Sequence, residues 1–381
     1  MVLPPVMRPT LRRLATPLAS LEPPLVHPWG LLAVMLRVPS RLLDRLTAAH
    51  HRYLDHVTAR VTQNPVLFPH GFFCDGWGDL STPSRLHQVL QSKRMGEINP
   101  LRESDIAWAA PRTFAKARAF LLPGTGEHGF LHRRTSIGIP LAQRGVATLI
   151  LEGPFYGRRR PQDQKGSKLR RVSDLPILGQ ATIEEAKSLL SYFQQQHGYE
   201  HVVVAGSSMG GLHAAMIASV YPGDVGATAW LAPPSAIPVF TEGLLAGSCN
   251  WASLYKQHEL QLLDNMLQGH AVSTASPVEA SFQDEDSVQQ VKKRMRKFLS
   301  ITDIDNFQPP RRSDAIVFVV GTEDQYIGMT NAEWTRLAAK WRPAEFRYVK
   351  TGHVSGILFE SKAFEETIMD VVHKLHGSAG Q

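Results

Sequence analysis

Residues 201–220 constrain the fold most. An apolar run, HVVVA, ends in Gly206-Ser207-Ser208-Met209-Gly210, and the helical pattern GLHAAMIASV begins at once. A G-x-S-x-G between a strand and a helix forms a tight turn that lifts the middle serine above the sheet edge. Small flanking residues are needed because the serine backbone is strained and closely approached. Ser208 holds that middle position, and Ser207 points away from the tip of the turn.

The rest of the chain supplies a sheet to carry such a turn. Short apolar runs at 117–122, 147–151, 201–205, 227–231, 315–320 and 345–349 alternate with helical patterns at 136–144, 182–196, 209–221, 331–340 and 363–375. That alternation predicts an α/β fold, a mostly parallel central sheet flanked by helices. It breaks between about 233 and 310, where helical patterns replace strands, and this insertion reads as a helical lid over a site. The chain has 381 residues, of which 43% are hydrophobic and 20% charged, so it can bury a sizeable core. The expected organisation is a Pro/Arg-rich segment over 1–40, a helix with an irregular extension over 41–113, and the α/β domain over 114–381. The helix of the extension starts near Ser40 and has Leu42, Leu43, Leu46, Tyr53, Leu54, Val57 and Val61 roughly on one face. It is expected to dock on the domain. The alternative is a membrane-surface helix, because Arg41, Arg45, His51 and Arg52 fall on the other face.

A nucleophilic serine needs a base, and the base needs an orienting acid. In this architecture they follow in the order serine, acid, histidine. Asp324 lies in GTEDQYIG just past the run AIVFVV, and His353 lies in TGHVSG just past EFRYVK. Ser208, Asp324 and His353 thus occupy three strand ends in the required order. Glu323 is the competing acid. His70, His128, His132 and His213 precede any late strand end, and HGFF at 70–73 follows no clear strand. Two backbone N–H groups must also face the developing oxyanion. Met209, directly after the nucleophile, is one candidate; Thr125, with Gly124 beside it in the loop LLPGTGEHG, supplies the other.

The net charge of +7 is concentrated. Arg158, Arg159, Arg160, Lys165, Lys168, Arg170 and Arg171 crowd one short segment in which Asp163 is the only acid. A local cluster argues against a nucleic-acid partner and suits a cradle for phosphate or anionic headgroups, or simply a solvated face. Cys74 and Cys249 make no disulfide framework, and no metal-ligand cluster, dinucleotide fingerprint or P-loop is present, so no metal or cofactor is expected. The apolar run 31–36 is far short of a membrane span. Arg8, Arg12 and Arg13 precede the first acid, Glu22, which suits a mitochondrial transit segment, although Pro4, Pro5, Pro9 and Pro17 would interrupt its helix. A cytoplasmic tail is the alternative.

Together these motifs resemble the α/β-hydrolase superfamily over residues 115–375. More narrowly, the chain resembles the family of α/β-hydrolase domain-containing protein 18. The segments that carry this are LPGTGEHGFLHRR, LILEGPFYGRRRPQDQ, VSDL at 172–175, GSSMGG, NW at 250–251, TEDQYI and GHVSG. The resemblance implies an α/β-hydrolase fold, a serine hydrolase with Ser208, Asp324 and His353 as its triad, and lipid deacylation at mitochondria with cardiolipin as the suggested substrate. It also raises the basic segment, with Arg158, Arg159, Arg160, Lys165, Arg170 and Arg171, as a substrate-binding element. The expected partner is a lipid or other acyl ester, with a possible peripheral membrane surface. The alternatives are a soluble small-ester hydrolase or thioesterase, and a non-catalytic binding protein on the same fold. Oligomeric state is not legible.

Overall fold

The computed structural model describes residues 40–62, 106–109, 117–164, 166–167, 169, 172, 174–251, 254 and 285–377. The expectations for residues 1–39, the HGFF segment with His70, Cys74, Lys165, Lys168, Arg170 and Arg171 lie outside these residues.

Among the described residues, seven strands form one sheet: β1 (Ile106–Ala109), β2 (Ala117–Leu122), β3 (Val146–Leu151), β4 (His201–Ser207), β5 (Gly226–Trp230), β6 (Ile316–Gly321) and β7 (Glu345–Val349). Their order is β1-β3-β2-β4-β5-β6-β7. Every neighbouring pair is parallel except β1 with β3. β2, β3, β4, β5 and β6 are buried nearly throughout, as apolar runs without alternation require when both faces are covered.

Among the described residues the helices of six residues or more are, in chain order, α1 (Ser40–Thr62), α2 (Asp174–His197), α3 (Met209–Val220), α4 (Ala236–Thr241), α5 (Glu285–Leu299), α6 (Asn331–Lys340), α7 (His353–Phe359) and α8 (Ser361–Gly377). A further helical stretch runs from Leu131–Arg133 through a π-turn, Arg134–Gly138, into Ile139–Gln143. On one face of the sheet Phe120, Leu149 and Val204 pack with Leu190 and Phe193 of α2, Leu212 and Ile217 of α3, and Trp334 and Leu337 of α6. On the other face Leu121, Ile150 and Val203 meet Ile137, Leu141 and the α8 residues Ile368, Val371 and Val372.

A third apolar cluster lies over the serine end of the sheet. Phe240 and Leu245 come from the segment after β5, Val291, Met295 and Phe298 from α5, and Leu178 from α2. The described parts of 233–310 therefore share one apolar cluster with residues of 155–181, among them Phe155, Tyr156 and Ala181. Two elements differ from the expected pattern. β1 falls in a stretch read as irregular, because a four-residue edge strand is too short to show a period. α2 starts at Asp174 rather than near 182, since Leu178 and Ala181 pack into the third cluster instead of onto the sheet.

Candidate active site

The turn at 206–210 is built as its sequence requires. Ser208 has φ 54° and ψ −123°, a conformation unusual for a residue with a side chain. Its N–H donates to the Trp230 carbonyl at the end of β5 (2.9 Å). A Cβ on Gly206 would sit 2.5 Å from the carbonyl carbon of Gly210, and one on Gly210 would sit 2.7 Å from the Pro123 carbonyl oxygen. Both glycines are thus demanded by close backbone approach, and the second brings the end of β2 against the turn.

The structure brings Ser208, His353 and Asp324 together. His353 Nε2 lies 3.0 Å from Ser208 Oγ, and His353 Nδ1 lies 2.7 Å from Asp324 Oδ2. Asp324 is held by its own loop: Oδ1 accepts from the N–H groups of Tyr326 (2.9 Å) and Ile327 (3.2 Å). The Tyr326 ring stacks on the imidazole at 5.1 Å. Burial pushes His353 down, but the charge of Asp324 and its hydrogen bond, helped by Asp55, outweigh that and hold it above the ordinary histidine value. Glu323, the competing acid, is instead paired with Arg52 of α1.

The oxyanion candidates separate. The Gly124 N–H donates to Glu127 Oε2 at 3.0 Å, so it is not available to substrate, which corrects its assignment. Thr125 and Met209, the other two candidates, line the same cavity as Ser208. Glu127 is fixed in turn by Arg133 Nε (2.7 Å). The buried Arg133 guanidinium also donates to the carbonyls of Leu121, Leu151 and Gly129. The loop is latched a second time by a backbone hydrogen bond between Gly126 and the Tyr156 hydroxyl, and by the Gly157 N–H donating to His128 Nδ1 (2.7 Å). Burial pushes the Tyr156 hydroxyl up to about 12.

The basic segment is not uniform. Arg158 and Arg160 are exposed. Arg159 is fully buried, forks onto the Glu185 carboxylate and donates to the Glu152 carbonyl (3.0 Å). Its guanidinium ties the 152–160 loop to α2 and is not presented to a headgroup, which corrects its assignment to substrate. Among the described residues no group of three or more His, Cys, Asp or Glu side chains could hold a metal ion, and no helix is long and apolar enough to cross a membrane.

Ser208 opens into a cavity of about 260 Å³ lined mainly by apolar groups, among them Leu175, Ile183, Leu212, Met216, Val239 and Phe307. The insertion contributes Pro233, Ala236, Phe240, Ile301 and Thr302 to its wall. His213 also lines it, and burial pulls this imidazole down to about 4.

The family model for alpha/beta hydrolase domain containing 18 matches residues 99–374. The chain belongs to this family. Solved structures with a similar fold include TT1662 from Thermus thermophilus, at 14% identity and TM-score 0.42, covering 70% of this chain and 93% of that one. Est1E from Butyrivibrio proteoclasticus with ferulic acid bound is 10% identical, TM-score 0.42, covering 70% and 95%. Proline iminopeptidase from Mycobacterium smegmatis is 12% identical, TM-score 0.43, covering 74% and 99%.

Three features of the site escaped sequence reading. Asp55, Arg133 and Tyr326 act on the reacting groups from a distance in sequence or through backbone atoms. Arg133 and Tyr326 left a trace, in the HRR run and in TEDQYI, two of the segments that carry the family resemblance; Asp55 left none. The polar face of α1 gave the wrong signal. His51 is buried on Ser355, Arg52 pairs with Glu323 and Asp55 is buried, while Tyr53 is 63% exposed. The face that docks therefore carries Ala48, His51 and Asp55, while Arg45 stays exposed; the polar members meet the Ser355 hydroxyl and the N–H groups of Gln325, His353 and Val354.

Proposed function

We propose that this protein is a serine hydrolase that deacylates lipid esters through an acyl-enzyme. The observation that carries the reading is the hydrogen-bonded chain Ser208–His353–Asp324 at the mouth of an apolar cavity. Ser208 Oγ attacks the acyl carbonyl carbon while His353 Nε2 takes the hydroxyl proton. Asp324 stabilises the resulting imidazolium, and the N–H groups of Met209 and Thr125 receive the oxyanion. Collapse of the tetrahedral intermediate breaks the ester C–O bond, and His353 returns the proton to the leaving alcohol. Water, activated by the same imidazole, then attacks the acyl carbon and frees the acid and Ser208.

The cavity walls suit an acyl chain, since they offer apolar area and few polar groups. The exposed Arg158 and Arg160 support an anionic phospholipid, cardiolipin-type, over a neutral ester. Mitochondrial delivery rests on the arginines ahead of Glu22, and a movable lid on the 233–310 insertion. The second reading, a hydrolase of small soluble esters or thioesters, draws on the same triad and a cavity of only moderate size.

The test is hydrolysis of cardiolipin-containing vesicles against phosphatidylcholine vesicles and short soluble esters. The lipid reading expects faster release from anionic vesicles, with the difference lost in Arg158→Gln/Arg160→Gln. Equal rates on both vesicles, unchanged in the variant, would overturn the headgroup preference. Activity confined to short esters would establish the second reading.

A further inference from the structure

Helix α7 begins at His353 itself, so the base sits where a helix leaves orphan N–H groups. The residue before it, Gly352, has no side chain with which to cap them. The cap comes from α1. Asp55 Oδ2 accepts from the His353 N–H (3.0 Å) and Oδ1 from the Val354 N–H (2.9 Å), across 298 and 299 residues of sequence. Asp55 Oδ2 also accepts from the N–H of Gln325 (3.2 Å), the residue after Asp324. One carboxylate thus joins the loop that carries the acid to the helix that carries the base.

Its neighbours on α1 grip the same two pieces. His51 Nδ1 lies 2.8 Å from Ser355 Oγ, and Arg52 pairs with Glu323. Asp55 itself is fully buried, and burial raises its pKa despite the three amides that lower it. Simple docking of a helix needs no such group, since apolar packing would serve without the desolvation cost.

We propose that Asp55 is a positioning residue of the active site: by capping α7 and tying it to the Asp324 loop, it aims the His353 imidazole at Ser208 and makes α1 part of the catalytic unit. The inference rests on the serine-hydrolase reading. The groups facing His353 are Asp324, Ser208 and the Tyr326 ring, with Asp55 behind its backbone; the Arg52–Glu323 pair and His51 lie on the flanking loops. Of the carboxylates, Asp324 and Asp55 both favour the protonated imidazole.

The test uses the full chain and Asp55→Asn, which keeps the shape but must turn an NH₂ toward at least one backbone N–H. Hydrolysis of p-nitrophenyl butyrate is measured across acid and neutral pH, with rates expressed per site titrated by a fluorophosphonate and folding checked by thermal melting. The expected result is a kcat lower by ~10²-fold at unchanged KM, with the acid limb of kcat/KM moved to lower pH. A wild-type kcat per titrated site, or a loss of sites with an unmoved acid limb, overturns the proposal. Amide exchange in the wild-type chain provides an independent reading that survives a variant which does not fold. The His353 and Val354 amides, which helix starts ordinarily leave exposed, should exchange as slowly as core amides, and fast exchange there overturns the proposal. A wild-type protein that neither labels nor turns over refutes the hydrolase reading instead, and the exchange measurement still decides whether Asp55 caps α7.

Discussion

Replacing Ser208 by glycine should stabilise the protein relative to replacing it by alanine, although both changes abolish the nucleophile. Residue 208 has φ 54° and ψ −123°, where a Cβ is strained and glycine is not. A residue held in such a region costs about 1–3 kcal/mol. Glycine gives back about 0.5–1 kcal/mol through its freer unfolded chain. It also forgoes the packing of one half-buried methyl group, worth at most about 0.8 kcal/mol. The hydrogen bond to His353 Nε2 is lost in both variants and cancels. Central values leave a net advantage of roughly 0.5–1 kcal/mol for glycine, or on the order of 1–2 °C in Tm. At an ordinary helix or strand position the order is reversed, so the sign is diagnostic. Denaturant unfolding and thermal melting of Ser208→Gly and Ser208→Ala measure it directly. A glycine variant equal to or less stable than the alanine variant would refute the argument that the turn stores strain at the serine.

Three further outcomes are expected. The acid limb of kcat/KM should fall above the ordinary histidine value of 6.5, because His353 must be neutral to act as base and its pKa is raised; a limb below that value contradicts the described electrostatics. His213, held down at about 4, binds its proton in the unfolded chain first, so it costs stability as pH falls from 6.5 towards 4, by up to about 3 kcal/mol. His213→Phe should flatten that part of the stability–pH profile, measured by denaturant unfolding, and an unchanged slope would count against it. Arg133→Met should destabilise the protein by roughly 3–5 kcal/mol, because it takes the guanidinium away from the Glu127 carboxylate and from the Leu121, Leu151 and Gly129 carbonyls. Its kcat per labelled site should also fall, since the same contacts shape the Thr125 loop.

The sheet, the turn and the positions of the three hydrogen-bonded side chains were legible because each depends on local sequence. Apolar runs mark buried parallel strands, glycines 206 and 210 mark close backbone approach, and Asp324 and His353 sit within a few residues of strand ends. The parts that were not legible depend on contacts between distant residues. Asp55 looks like any acid on an amphipathic helix until α1 is seen to meet α7 through it. Arg159 reads as one of a basic run until Glu185 is found beside it. Thr125 is the preferred donor in sequence with Gly124 beside it, and nothing local shows that the Glu127 carboxylate takes the Gly124 N–H.

The central claim is that Ser208 is an activated nucleophile, and reaction of the folded chain with a fluorophosphonate tests it most directly. The account expects one adduct, mapped to Ser208 by mass spectrometry, lost in Ser208→Ala and suppressed in His353→Gln. A folded wild-type protein that remains unlabelled, or one labelled equally in Ser208→Ala, would contradict it.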